Sequence, residues 1–256
     1  LKEASLQIYQ RHCEDYFKGL QIMALPKIET PTFELELPST GEKLKARPFL
    51  VKEQKHLLIA QESENSADIS SAISKVIYDC TFEKISTDTV PMFDIEYLFV
   101  KIRGKSVGEK VELNVLCPDD QETRVDVTVN LDEVEVQIQD DHTNEIDVAK
   151  DVKLYMRYPY INDMDGIDEL SEIDIIFTLL KRCVSEIHYG EDVYYKADIT
   201  EQELDEFLDS LTTESFENIA KFFDTMPRLT HIINVTNPKT KKTGEVILQG
   251  MESFFG

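Results

Sequence analysis

The most site-like run in the chain is Asn162-Asp163-Met164-Asp165-Gly166-Ile167-Asp168-Glu169. Clustered carboxylates of this kind hold divalent cations, because hard cations take oxygen ligands. If Gly166 is set on the turn glycine of a calcium-binding loop, Asp163, Asp165 and Glu172 fall on ligand positions. The first ligand position then falls on Ile161, which has no side-chain oxygen, so the loop lacks a key ligand. The plainer reading is a polar loop that opens a helix, its acids favoured by the helix dipole. A divalent-metal hydrolase using Asp163, Asp165 and Asp168 stays open as an alternative, although two-metal chemistry needs further acids from other segments.

Other reactive residue types are scattered. His12, His56, His142, His188 and His231 form no i,i+4 pair and no HExxH pattern. Cys13, Cys80, Cys117 and Cys183 include no CxxC pair, and Cys117 before Pro118 reads as a buried turn cysteine. Arg103-Gly104-Lys105-Ser106-Val107-Gly108 contains Gly-Lys-Ser without the upstream glycine of a phosphate loop. It also follows a helical pattern where a phosphate loop follows a strand, so it reads as a helix stop. No catalytic residue, cofactor site or metal ligand is assigned.

Two groups suit protein contacts. Lys239, Lys241 and Lys242 crowd one turn and make a basic tip on an acidic chain; an ordinary solvated turn is the bland alternative. Tyr155, Tyr158, Tyr160, Tyr189, Tyr194 and Tyr195 form a tyrosine-rich set, suited equally to interfaces and to core margins. Tyr155, Tyr158, Tyr160 and the three lysines are the candidate partner contacts.

The elements that would position these residues follow from periodicity. Residues 33–37 and 43–47 alternate around Pro38-Ser39-Thr40-Gly41 and predict a hairpin. Residues 54–60 lean helical, within a stretch 49–61 that strand or helix would fit. Residues 67–79 predict a helix capped by Ser66, with Ile69, Ala72, Ile73, Val76 and Ile77 on one face. Residues 94–103 predict a second helix ended by Gly104. Residues 111–116, 125–129 and 134–138 predict a three-stranded antiparallel meander, and 152–156 a further strand.

Ile173, Ile176, Leu179, Leu180, Cys183, Val184 and Ile187 mark one long helical stripe. Thr200-Glu201-Gln202-Glu203 is a capping box opening a helix, and Thr213 caps another that stops near Pro227. Residues 231–235 and 245–248 predict a terminal hairpin, followed by a short apolar segment, 251–255. No internal repeat or low-complexity linker is evident. The fold class is α+β, with antiparallel hairpins and meander in the N-terminal half and at the C-terminus flanking a helical section.

The 256 residues carry 50 acidic and 27 basic side chains, a formal net charge of −23. Such a field repels phosphate backbones and argues against nucleic-acid binding. With 41% hydrophobic and 30% charged residues the chain reads as soluble and globular. No apolar run approaches the roughly 20 residues of a membrane span. The sparse cysteines suit a reducing cytosol. Residues 1–22 differ in texture and read as an extraneous upstream segment, with the natural chain starting at Met23. The remainder divides into a strand-rich part with two helices, 23–157, and a helical part with the terminal hairpin, 158–256.

A series of strings carries a resemblance. These are Ala24-Leu25-Pro26-Lys27-Ile28-Glu29-Thr30-Pro31-Thr32, Arg47-Pro48-Phe49-Leu50-Val51-Lys52-Glu53-Gln54-Lys55, Cys80-Thr81-Phe82 and Pro91-Met92-Phe93-Asp94, then Arg103-Gly104-Lys105-Ser106-Val107-Gly108, Met156-Arg157-Tyr158-Pro159 and Phe223-Asp224-Thr225-Met226-Pro227. In this order and spacing the chain resembles the baseplate hub family of T-even-like contractile-tailed phages, particularly its marine and cyanophage members, from Met23 to the C-terminus. The resemblance implies a non-enzymatic hub subunit or hub assembly factor without cofactor. It implies other baseplate hub and tail proteins as partners, with no nucleic acid and no membrane. It implies residence in the virion tail or in the host cytoplasm during assembly. The resemblance also implies, for some relatives, a cysteine-bearing turn where this chain has Cys117-Pro118-Asp119-Asp120; the other cysteines are missing here, which argues against a metal role, and no functional residue is carried over.

Overall fold

A computed structural model describes residues 28–63, 65–167 and 170–254. The chain divides into two units, residues 1–30 and 31–256. All the elements below belong to the second. Residues 1–22, Met23 and Asp168 lie outside the described residues.

The fold is α+β, and every strand pairing among the described residues is antiparallel. Strands β1 (Phe33–Glu36) and β2 (Lys43–Ala46) form the expected first hairpin. Helix α1 (Val51–Ser63) resolves the ambiguous stretch as helix, and α2 (Ser66–Cys80) follows it. The α2 cap is Asn65, one residue before the expected Ser66; its side chain accepts the Ala67 and Asp68 N–H groups. Ile73, Val76, Ile77 and Cys80 of α2 pack with Leu44, Ala46 and Ile85 in a first core.

Helix α3 (Met92–Val107) corrects the expected stop at Gly104. A glycine inside a helix costs about 1 kcal/mol relative to alanine. A Cβ at this position would meet the Leu131 Cβ at an ordinary contact distance of 3.5 Å, so the helix tolerates the glycine and no clash demands it. The helix ends instead at Gly108, with φ 139°. Leu98 and Ile102 face the first core, while Val100 faces a second core with Val111, Val129, Leu131, Leu229 and Phe254.

The expected three-stranded meander is also corrected. Strands β3 (Lys110–Leu116) and β4 (Arg124–Asn130) pair over their whole length. A 3-10 turn, Leu131–Glu133, then inserts the buried Leu131 and turns the chain away. Lys101 holds this turn, donating to the Asp132 carbonyl at 2.7 Å and pairing with Glu135 at 2.8 Å. Strand β5 (Glu135–Gln137) therefore pairs with a strand almost a hundred residues on, as described below.

Strands β6 (Glu145–Ala149) and β7 (Val152–Met156) open the second half, followed by a 3-10 turn, Ile161–Met164, and helix α4 (Glu172–Cys183). The long helical stripe expected through Ile187 breaks here: Val184 begins strand β8 (Val184–Tyr189), which pairs with β7 and with β9 (Asp192–Tyr195). The pattern misleads for a physical reason. Val184 and Ile187, three apart, belong on one helix face and on opposite strand faces. A register shift opposite Tyr155 and Met156 resets the alternation, so both residues reach the same core.

Helix α5 (Glu201–Asp209) starts at the predicted capping box: Thr200 Oγ1 accepts the Glu203 N–H, and Glu203 accepts the Thr200 N–H. Helix α6 (Thr213–Thr225) is capped by Thr212, one residue before the expected cap. Strands β10 (Arg228–Thr236) and β11 (Thr243–Gln249) make the predicted terminal hairpin, and β5 pairs with β10 to complete a three-stranded sheet. The terminal segment folds back as a 3-10 turn, Met251–Phe254, that buries Phe254 in the second core. Among the described residues no helix is long and apolar enough to cross a membrane.

No repeat is visible in the sequence, yet one set of devices occurs twice. A two-stranded hairpin (β1–β2, β6–β7) leads to an arginine (Arg47, Arg157). That arginine's N–H donates to the carbonyl of a buried cysteine ending a helix: Arg47 to Cys80 at 2.9 Å, Arg157 to Cys183 at 2.8 Å. Each guanidinium binds the carbonyl of the next residue and a carboxylate six residues on. Each carboxylate also accepts a backbone N–H from three residues before it, Leu50 for Glu53 and Tyr160 for Asp163. Further along, each half has a helix, a long hairpin and a 3-10 turn, in that order.

Candidate functional site: the loop acids and the exposed contacts

Asp163 is the centre of the predicted acidic cluster, and it is engaged. Arg157 donates to its two oxygens at 2.5 and 2.9 Å, and the Tyr160 N–H adds a third bond at 2.7 Å. The pairing holds the Arg157 guanidinium even more firmly protonated than usual. Asp165 contributes its carbonyl, which accepts from Arg182 at 2.9 Å. Among the described residues, no three histidine, cysteine or acidic side chains gather as a metal-binding group. The calcium-loop alignment has a structural counterpart of another kind: the loop's carboxylate satisfies backbone and guanidinium donors.

The thiols are equally enclosed. Burial pushes Cys80 up to about 11 and Cys183 up to about 12, so both stay protonated and unreactive at neutral pH. Cys117 is buried in its turn, as expected. His142 has its Nδ1 2.9 Å from the Thr225 hydroxyl, and burial lowers its pKa. His188 bonds Glu186 at 2.7 Å.

The candidate contact residues fall into two settings. Tyr158 lies among Phe93, His142 and Phe222, with ring centroids 5.1 to 5.8 Å apart. Tyr160 lies under the Arg157 guanidinium at 4.3 Å, and the Tyr155 hydroxyl donates to Glu145 at 2.7 Å. All three are half-buried. The strongly exposed tyrosines of the set are Tyr189, Tyr194 and Tyr195, around the open edge of β9.

Lys239, Lys241 and Lys242 are exposed at the β10–β11 turn. That turn interlocks with the turn of the other long hairpin. The nearly inaccessible Asn237 donates to Asp119 and Asp120, both at 2.8 Å, and the Thr240 hydroxyl donates to Asp119 at 2.5 Å. These bonds depress the Asp119 pKa; the Thr123 N–H and hydroxyl, with further bonds, depress that of Asp120. The lysine tip therefore stands beside two fixed carboxylates that the sequence places over a hundred residues away.

What the sequence missed is a gathering of cations around Asp163. Arg182 donates to the Asp163 and Asp165 carbonyls, and Lys181 and Lys196 line the same cleft. Only the Lys181-Arg182 doublet signals this locally; Lys196 arrives through the β8–β9 hairpin.

The described chain is an α+β body with one recurring set of devices, in which many charged side chains serve as internal braces. The family described as T4 bacteriophage base plate protein matches residues 30–256, and the chain belongs to it. No curated protein and no solved structure matches the chain. Membership makes it a phage baseplate protein of a structural family.

Proposed function

We propose that the chain is a non-enzymatic subunit or assembly factor of the baseplate hub and acts through contacts with other baseplate hub and tail proteins. The observation that carries this reading is the family match over residues 30–256. The commitment of Glu53, Asp119, Asp120 and Asp163 to internal bonds supports a structural role. On this reading the exposed Tyr189, Tyr194 and Tyr195 and the lysine tip supply contact area, and the half-buried Tyr155, Tyr158 and Tyr160 contribute what they leave accessible. Stable contacts of this kind bury on the order of 1,200–2,000 Å². The net charge of −23 supports protein partners over nucleic acid. Its location is then the virion tail baseplate, reached through the host cytoplasm during assembly.

Affinity purification of the tagged chain from infected cells should recover hub proteins, and recovery of none would remove the hub reading. Mass spectrometry of purified particles separates a retained subunit from a transient factor.

A further inference from the structure

The two arginine–carboxylate–cysteine nodes differ in their surroundings. In the first half the node is closed: Glu53 is 1% exposed, and the helix ends Tyr78-Asp79-Cys80, with Asp79 paired to Lys75 at 2.7 Å. In the second half the helix ends Lys181-Arg182-Cys183. A cation, Arg182, thus stands where the first copy has a carboxylate. The β8–β9 hairpin, which has no counterpart in the first half, brings Lys196 alongside. The node opens onto a cleft of about 650 Å³ whose lining includes Val184 and Ala197. Its described charged wall comprises Arg157, Lys181, Arg182 and Lys196 against Asp163 and Glu201.

We propose that this cleft receives the carboxylates of an acidic polypeptide segment from a partner protein. Four cations line the cleft, and Asp163, Glu201 and the neighbouring Asp205 pair with three of them, which leaves one positive charge, on Arg182, in excess in a chain of net charge −23. An acidic segment is repelled by most of such a surface and attracted here, which selects position as well as partner. The existing pairs do not close the site. Lys196 meets Glu201 at 3.2 Å, and Glu201 is 80% exposed; Lys181 meets the half-exposed Asp205. Exposed pairs of this type contribute at most about 1 kcal/mol, so an incoming carboxylate can exchange for them. Arg182 is bound to two carbonyls and forms no ion pair among the described residues. One feature favours a polypeptide over a free anion. The open β9 edge, with exposed Tyr194 and Tyr195, runs directly into Lys196. An extended chain would have that edge to lie along, whereas a small anion would use only the cationic end.

This deepens the partner-contact reading, and rests on it only for the origin of the segment. The test uses the purified full chain and a fluorophore-labelled hexaglutamate peptide, read by fluorescence anisotropy at low salt. Failure here leaves the hub reading standing, because no hub protein is involved. Saturable binding is expected, weakened by salt. It should fall by about tenfold or more in the double variant Lys181→Gln/Lys196→Gln, whose side chains pair only with exposed acids. The turn variant Lys239→Gln/Lys241→Gln, with the other basic cluster reduced, should bind as the parent does. Absence of saturable binding by the parent chain overturns the proposal, as does equal loss in the two variants. Inorganic phosphate that saturates the parent at a site lost in Lys181→Gln/Lys196→Gln, without peptide binding, identifies a small-anion pocket and likewise overturns it.

Discussion

Pro118 and Gly244 touch across the two long hairpins: a Cβ built on Gly244 would stand 2.6 Å from the proline Cγ. The contact lies between the β3–β4 turn and β11, beside the Asn237 bonds to Asp119 and Asp120. Both partners are stiff, since one is a ring and the other is backbone held in register with Val235. Gly244→Ala should therefore lose about 1–3 kcal/mol through overpacking. The same substitution in a Pro118→Ala background should lose much less. Chemical denaturation of the four variants in this cycle measures the contact. Equal losses in both backgrounds would place the strain elsewhere.

A second expectation concerns turns built alike. Leu37-Pro38-Ser39-Thr40-Gly41, Cys117-Pro118-Asp119-Asp120-Gln121 and Asn237-Pro238-Lys239-Thr240-Lys241 each close with the fifth residue's N–H donating to the first residue's carbonyl, at 2.8 to 2.9 Å. The fifth residue is left-handed in each, with φ of 69°, 53° and 63°. Only the first is glycine. A side chain in this region costs on the order of 1–2 kcal/mol. After allowing for the greater freedom of an unfolded glycine, Lys241→Gly should stabilise by roughly 0.5–1 kcal/mol. Gly41→Ala should destabilise by about 1 kcal/mol or more. Thermal melts of the two variants should move in opposite directions.

Glu96, on α3, gives a pH dependence. Burial raises its pKa to about 7, with Glu252 adding to the effect and the Met251 N–H and Arg228 opposing it. Between the ordinary 4.5 and about 7 the folded chain keeps a proton that the unfolded chain has released. Stability from this group therefore falls as pH rises through that window. Glu96→Gln removes the charge while leaving an oxygen for the Met251 N–H. Its melting temperature should exceed the parent's by roughly 2–6 °C at pH 8, with the gain vanishing at pH 4. A pH-independent difference would contradict the assignment.

Glu53 works in the opposite sense. Burial alone would raise its pKa, but bonds from Arg47, the Leu50 N–H and Lys52 outweigh it and hold the carboxyl at about 2. Its contribution is full above the ordinary 4.5 and is lost as pH falls from there towards 2. Glu53→Gln should be less stable than the parent at pH 7, by about 3–5 kcal/mol because Arg47 is left half-buried without its counter-charge. The two proteins should converge at the acid end of a denaturation series. A constant gap down to pH 2 would mean that shape and not charge makes the difference.

The enclosed 3-10 turn at the C-terminal end supplies a further check. Phe254 is 1% exposed in the core shared by α3, β3, β4 and β10. Phe254→Ala should cost about 3–5 kcal/mol, measurable by denaturant unfolding. A loss below 1 kcal/mol would show that this segment is presented rather than packed.

Local chemistry was legible from the sequence wherever one short segment decides. The hairpin of Phe33 and Ala46 and the capping box of Thr200 and Glu203 needed only alternation and a hydroxyl three residues before an acid. Helix ends were less legible. Gly104 carries a stop signal, but the helix runs through it to Val107, and a distant turn has laid Leu131 against the glycine in ordinary contact. Val184 and Ile187 fit a helix face until the register shift opposite Tyr155 gives them to a strand. In both cases a tertiary contact outweighs a preference of about 1 kcal/mol.

By itself, the sequence determined the α+β class, the three proline turns, the Thr200 capping box and the excess of acid, because each depends on neighbours along the chain. The tertiary structure alone decided that β5 pairs with β10 rather than β4, that Arg47 and Arg157 head two like nodes, and that Arg182 and Lys196 share a cleft. Those outcomes are set by long-range burial and hydrogen-bond satisfaction, whose energies depend on which distant segments meet.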